Sequence, residues 1–235
     1  MAITYNVYVP SYARFNDTLR IYDHLEYCTY VVRASEAEAY RSAGIESLWV
    51  IEDELIDNIH KVHQYIIDNS PEDVICIIDD DGKLIYRNIE TSEMTKEEAS
   101  SELERVAQMM VDLRIGYGCT DAVPAPFYYD SEFKFHGMCG GCKWVNKAVF
   151  KAKVDPLCMY NFDLDLELQE LLVNRVVFKP IFFIDIGGQD TNSGGSNVDK
   201  NKEKRMAGIN HTKTKWGKHF SYNFDNNKAR INVQR

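Results

Sequence analysis

The chain has 235 residues, 45% of them apolar and 27% charged, which suffices for one large domain with a sizeable core. No run approaches the eighteen apolar residues of a membrane span, and the first residues lack the basic-then-apolar order of a secretory signal. Six cysteines without such a signal read as thiols in a reducing compartment, so a cytoplasmic protein is expected. The net charge of −9 is uneven: residues 199–235 carry ten basic and three acidic side chains, or +7, and leave −16 on residues 1–198. An acidic body of that size does not attract nucleic acid nonspecifically. The basic segment reads either as a contact for an anion, substrate phosphate or nucleic acid, or as a solvated, partly disordered tail.

In chain order, alternation over 4–12 predicts a strand, with Tyr5, Val7 and Val9 on one face. A loop through Pro10, Ser11, Tyr12 and Arg14 follows, then a short helix over 17–25 and a strand over 29–33. Ser35 and Glu38 have capping-box spacing and open a helix that ends near Gly44. A strand over 47–51 precedes a helix over about 56–68, marked by Ile59, Val62 and Ile66 and stopped by Pro71. Residues 74–78 are five consecutive apolar residues, the pattern of a strand buried on both faces. Strands alternating with helices over the first eighty residues imply a parallel sheet with helices on its faces.

The second half is less regular. Residues 83–89 suggest a short strand. Thr95 and Glu98 form a second capping box, and Ala99, Leu103, Val106, Met110 and Leu113 continue it as an amphipathic helix. The stretch from Gly116 to Tyr129 is aromatic, glycine-bearing and irregular. A Gly140-Gly141 turn leads into a strand. A helix over 162–172 sets Leu164, Leu168 and Leu171 against Asp163, Glu167 and Glu170 on the opposite face. Residues 176–186 read as one strand despite Pro180, residues 187–195 as a flexible loop.

Chemistry concentrates where the 74–78 strand ends in Asp79, Asp80, Asp81 and Gly82. Open α/β sheets place ligands at the carboxyl ends of their strands, and adjacent carboxylates are held together most readily by a cation. In extended backbone Asp79 and Asp81 point to one side and Asp80 to the other, so the pair reads as a metal site and Asp80 as a structural neighbour; the plain alternative is a polar turn. Arg14, at the same edge, is a candidate phosphate contact, and Lys61 a further donor contact. His60 and His63, three apart on one helix, read as structural histidines. Cys139 and Cys142 bracket two glycines, but no second Cys-x-x-Cys exists to complete a zinc site, and the pair leads into strand rather than helix, against a redox motif. Asp163 and Asp165, at a helix start, are candidates for a general base.

These pieces, in this order, resemble a glycosyltransferase of the GT-A fold. Asp79-x-Asp81 is similar to the Asp-x-Asp motif of that superfamily, which holds Mn²⁺ or Mg²⁺ on the diphosphate of a nucleotide sugar. Gly140 and Gly141 resemble the segment lining donor sugar and acceptor, and Asp163 the acidic position that acts as base in inverting members. A glutamate usually precedes that aspartate, whereas Phe162 does so here, which leaves the choice between Asp163 and Asp165 open. More narrowly, the N-terminal motifs (Val9 to Arg14, Val31 to Tyr40, Ile78 to Asp81) and the tail around Lys215 and Arg230 look similar to the TET-associated phage glycosyltransferases that decorate hydroxymethylated DNA bases.

The resemblance implies a Rossmann-type αβα sandwich with a mainly parallel central sheet. Its GT-A-like domain would span 1–198, with a nucleotide-binding half over 1–82 and an acceptor half over 83–198. The basic tail, 199–235, would pack on or cover the active site. It implies a UDP-linked donor contacted by Pro10, Ser11, Tyr12, Arg14, Lys61, Asp79, Asp80, Gly140 and Gly141. The metal would lie on Asp79 and Asp81. For a third ligand Asp185, His211 and His219 are candidates, His219 being attractive for its place in the basic tail. Metal-dependent nucleotidyl transfer would use the same acidic cluster, and a non-catalytic nucleic-acid-binding module would use the tail; both are alternatives.

Overall fold

A computed structural model describes residues 3–15, 20–87, 92–122, 131–187, 202–226 and 228–233. Its centre is a six-stranded sheet. In chain order, β1 (Tyr5–Pro10), β2 (Thr29–Arg33), β3 (Leu48–Ile51) and β4 (Val74–Ile77) are mutually parallel, and β6 (Tyr117–Asp121) and β8 (Cys139–Asn146) complete it in the spatial order β3-β2-β1-β4-β8-β6. β8 runs antiparallel to both neighbours, so the sheet is mixed but mainly parallel. All four residues of β4 are buried, as a continuous apolar run at the centre of a two-faced sheet requires.

Helices cover both faces. On one lie α1 (Arg20–His24), α2 (Ala37–Ser42) and α4 (Lys96–Asp112), whose core with the sheet includes Val32, Cys76, Leu103 and Trp144. On the other lie α3 (Ile59–Asn69) and α5 (Phe162–Val173), with Val31, Ile66, Ile75, Val145 and Leu168 between them and the sheet. The Thr95 capping box of α4 is complete in both directions. The one expected at Ser35 is absent: a 3-10 turn (Ala34–Glu36) intervenes, and Ser35 donates to Asp53 instead.

Three other expectations are corrected. The stretch expected to be irregular contains β6, because its glycines admit close neighbours rather than bends: a Cβ on Gly118 would stand 2.7 Å from Met110 Sδ. Gly140 and Gly141 lie inside β8, not in a turn before it. The expected 176–186 strand breaks at Pro180, which has no N–H for a ladder, into β9 (Lys179–Pro180), paired with β7 (Phe133–Lys134), and β10 (Phe183–Ile186), paired antiparallel with β5 (Lys83–Tyr86). The glycine-rich loop expected over 187–195 falls, beyond Gly187, outside the described residues.

The basic segment is folded. It forms α6 (Lys202–Trp216) and a hairpin of β11 (Phe220–Asn223) and β12 (Lys228–Ile231). Gly208 brings α6 against the body so closely that a Cβ there would lie 2.3 Å from the Met159 carbonyl oxygen. The strongest tie is polar. Asp165, fully buried in the first turn of α5, accepts from Trp216 Nε1 at 2.7 Å and from Gln169 at 2.7 Å, and its Oδ1 lies 2.8 Å from Lys215 Nζ. Asp155 takes the same ammonium at 2.9 Å and His211 at 3.1 Å; burial alone would raise its pKa, but these donors hold it down at about 2. No helix among the described residues is long and apolar enough to cross a membrane.

Removing one partner of a buried ion pair strands the other. Asp165→Ala is therefore expected to destabilise the chain by about 3 kcal/mol in denaturant titration and to make residues 202–233 the first site of proteolysis. Lys61→Ala, which breaks only exposed contacts with Asp57 and the Glu54 carbonyl, should change stability by about 0.5 kcal/mol or less.

Candidate active site

Parallel pairing of β1 with β4 brings two loops to one sheet edge: residues 11–14 after β1, and the acidic turn after β4. The acidic cluster is a turn, closed by Gly82 N–H donating to the Asp79 carbonyl, and not the extended backbone expected for it. Alternation therefore does not aim its side chains; individual partners do. Asp80 turns inward, 3% exposed, and accepts from Ser11 Oγ and Arg14 Nη1. Ser11 Oγ also meets Tyr40 Oη at 2.6 Å. Arg14 reaches on to Asp81 Oδ2 at 3.0 Å. One guanidinium thus ties the turn to β1 and offsets two of its three charges.

Asp79 behaves differently. It keeps solvent exposure while standing on a floor walled by protein. Burial of that floor pushes its pKa up to about 6, with Asp185, Asp80 and Asp81 adding to the rise and Lys143 opposing it. Asp185, on β10, is the third-ligand candidate that the fold brings to this point: a Cβ on Gly141 would lie 2.1 Å from Asp185 Oδ2 and 3.7 Å from Asp79 Oδ2. Glycine is therefore required at 141, between two carboxylates. Thr120 donates its hydroxyl to Asp185.

Lys143 stands two residues along β8 from Gly141, on the same face, and donates to its carbonyl at 2.8 Å. It is 7% exposed. Burial disfavours the ammonium, but Asp79, Asp163 and Asp185 outweigh that and hold it above the ordinary lysine range. Asp163, half-buried in the first turn of α5, is therefore within the field of the same cation as Asp79. Its Oδ1 accepts the local Leu164 N–H. Phe162 ahead of it is wedged edge-on between His60 and His63, with centroids at 5.1 and 4.8 Å. Burial lowers the pKa of both histidines, and Asp163 partly offsets this for His60.

The remaining expected residues separate. Pro10 ends β1 and leads into the site loop. Tyr12 lies under the Arg33 guanidinium, 3.8 Å from its ring centroid. Gly140 packs β8 onto β6, where a Cβ would stand 2.8 Å from the Asp121 carbonyl oxygen. Lys61 is not at the edge: exposed on α3, it pairs with Asp57 at 2.7 Å. Asp165 is consumed by α6 and is not an open carboxylate. His219 lies in a 3-10 turn (Gly217–His219) after α6, exposed, with Nδ1 3.4 Å from the Asn232 carbonyl oxygen, and His211 is held by Asp155. Neither histidine has a recorded contact with the acidic turn, whereas Asp185 adjoins Asp79. Lys143 was missed by sequence reasoning; its alternation with Gly141 along a strand is the signal that could have found it.

The donor set suits a hard divalent cation. Asp79, Asp81 and Asp185 offer carboxylate oxygen. Among the described residues the groups of three converging ligand atoms lie elsewhere, so the acidic turn is not a closed cage. Magnesium-type ions accept that arrangement, taking one or two carboxylates and completing the shell with substrate phosphate and water.

The fold is α/β and GT-A-like, with a six-stranded, mainly parallel central sheet between helical layers. No protein-family model matches the sequence, and no curated protein does. Solved structures do. Staphylococcus aureus TarS 1–349 in complex with UDP-GlcNAc aligns with a TM-score of 0.56 at 12% identity, over 90% of this chain and 66% of that one. The UDP complex of TarS aligns at 0.51 and 12%, over 77% and 60%, and a mycobacterial protein at 0.51 and 8%, over 80% and 68%. The chain thus spans less than two thirds of the TarS structures it resembles.

The raised Asp79 yields a signed prediction. A carboxylate whose folded pKa exceeds its ordinary 3.8 disfavours folding once ionised, so its contribution falls as pH rises from 3.8 through about 6. Asp79→Asn should raise the melting temperature above pH 6, and the gain should close as pH falls towards 3.8.

Proposed function

We propose that the chain is a metal-dependent glycosyltransferase that moves a sugar from a nucleotide sugar, UDP-linked, to a hydroxyl acceptor, and that the acceptor is a hydroxymethylated pyrimidine of phage DNA. The observation that carries the reading is the meeting of Asp79 and Asp185 at Gly141, with Lys143 in the field of both and of Asp163, beside Arg14 and Asp81 at the carboxyl edge of a GT-A-like sheet. The likeness of fold to TarS bound to UDP-GlcNAc supports the donor class. The DNA acceptor rests on the sequence resemblance and on the basic α6, where Lys202, Lys204 and Lys213 are exposed.

In this reading Asp79, Asp81 and Asp185 would hold Mn²⁺ or Mg²⁺, which when bound neutralises charge on the diphosphate leaving group. Arg14 orients the acidic turn and presents positive charge at the mouth of the nucleotide loop. Tyr12, over Arg33, offers a flat surface for the base. Gly141 leaves room for the sugar between the two walls. Asp163 takes the proton of the attacking hydroxyl as its oxygen bonds to the anomeric carbon and the anomeric carbon–phosphate oxygen bond breaks. Lys143 places positive charge beside Asp79 and within the field of Asp163.

The test is transfer of labelled sugar from UDP-glucose or UDP-GlcNAc, with Mn²⁺, to hydroxymethylated DNA, unmodified DNA or small hydroxyl acceptors. Label in hydroxymethylated DNA alone supports the full reading, whereas UDP release without labelled DNA moves the acceptor elsewhere. Release of pyrophosphate from a nucleoside triphosphate would favour nucleotidyl transfer; metal-independent DNA binding without turnover would leave a binding module. Asp163→Asn should lower kcat by about 10²–10⁴-fold with UDP binding retained. Asp81→Asn should instead abolish the Mn²⁺ dependence of UDP binding in calorimetry.

A further inference from the structure

The two cysteines of Cys139-x-x-Cys142 face opposite core layers. Cys142 meets Cys76, Sγ to Sγ 3.3 Å, beneath α4. Cys139 faces the α5 layer, and there a different set converges: Cys139 Sγ, Cys119 Sγ from β6 and a Glu167 carboxylate oxygen from α5 all lie within 4.8 Å of one another. Cys119 and Glu167 are fully buried and Cys139 is 6% exposed.

A thiol pair alone would pass as core filling. The polar atoms around it would not. Glu167 Oε2 accepts the Cys139 N–H at 3.0 Å, but Oε1 is buried with no hydrogen-bond partner. Lys179 Nζ, on a residue 1% exposed, also lacks one; its nearest recorded carboxylate oxygen is that of Asp121, at 3.7 Å, and Asp121 is already paired with Arg87 at 2.9 Å. Buried polar atoms without partners are costly, and two facing one thiol pair require an explanation.

We propose that Cys119, Cys139 and Glu167 bind a structural Zn²⁺. Two thiolates and a carboxylate are the ligand types zinc takes in protein sites. The charges close: three negative ligands, a dication and the Lys179 ammonium sum to zero. Binding releases the two thiol protons to solvent, gives Glu167 Oε1 its partner and needs no oxidant. The Tyr117 hydroxyl, 3.7 Å from Cys139 Sγ, borders the cluster beside the fourth position. The location also has a structural use. The β6–β8 ladder shifts register between Cys119 and Asp121, opposite Cys139, and a metal there would fasten the two strands where the backbone does not, one residue from Gly140.

This assignment is independent of the sugar-transfer reading, and its test does not read activity. The full-length chain is expected to retain about one zinc per molecule through gel filtration by elemental analysis. Refolded with Co²⁺ instead, it should show tetrahedral d–d bands and a thiolate-to-cobalt charge-transfer band, which the all-oxygen acidic turn cannot produce. Cys119→Ser and Glu167→Gln should lose the metal or the charge-transfer intensity, while Cys76→Ser keeps both. A folded wild-type chain that holds no zinc as purified or after refolding with Zn²⁺ would overturn the proposal. So would a cobalt form without the thiolate band, or full retention in the Cys119→Ser, Cys139→Ser double variant. The wild-type spectra decide even if a variant fails to fold.

Discussion

One ammonium organises the cleft. Lys143 sits where the sheet changes direction, on the antiparallel strand beside β4, and three carboxylates from three different elements share its field: Asp79 from the acidic turn, Asp163 from the head of α5 and Asp185 from β10. Each carboxylate alone would meet the cost of leaving water, and a lone buried lysine would tend to discharge. Here the surrounding carboxylates outweigh burial and hold the ammonium above the ordinary lysine range. The placement of the acids, and whatever chemistry they perform, therefore rests on a residue that carries no motif.

The same economy of placement runs along α5. Four acidic side chains within eight residues do four separate things. Asp163 faces the cleft, and Asp165 anchors Lys215 and Trp216 of α6. Glu167 reaches the thiols of β6 and β8, and Glu170 accepts the backbone N–H groups of Lys151 and Ala152 at 2.7 and 2.9 Å. A helix whose polar residues are its inward ones needs partners for them, and the surrounding elements supply most of these, Glu167 Oε1 excepted. This is why the helix defeats a simple reading of its stripes: Glu167 and Glu170, on the face opposite the leucine stripe, are fully buried too.

Much of the architecture was legible because local signals agreed with it. Thr29–Arg33 is a strand of the predicted extent, the Thr95 box opens α4, and the apolar run before Asp79 is the central strand. The signals failed where tertiary contact overrode them. Glycines read as loop in β6 and as a turn at Gly140 and Gly141 are strand residues trimmed for close neighbours. Asp165 and Asp163 look alike in sequence, and only the arrival of α6, from fifty residues on, separates the anchor from the open carboxylate. Asp185 was one of three candidates for a third ligand, and Lys143 shows only its alternation with Gly141; what brings both to the site is strand pairing, which a single sequence does not display.

The small ribbon of β5 and β10 lies outside the main sheet, yet β5 begins directly after Gly82 and Asp185 is paired opposite Leu84. The two walls of the cleft, the acidic turn and Asp185, thus belong to the two strands at one end of a single hydrogen-bonded ladder. Their separation is a gauge set by backbone and not by the side chains that face a ligand. Those facing side chains are then free to diverge, changing what is bound without altering the width of the slot. Conversely, a slip of register in the ribbon would re-space the site while leaving every functional residue in place.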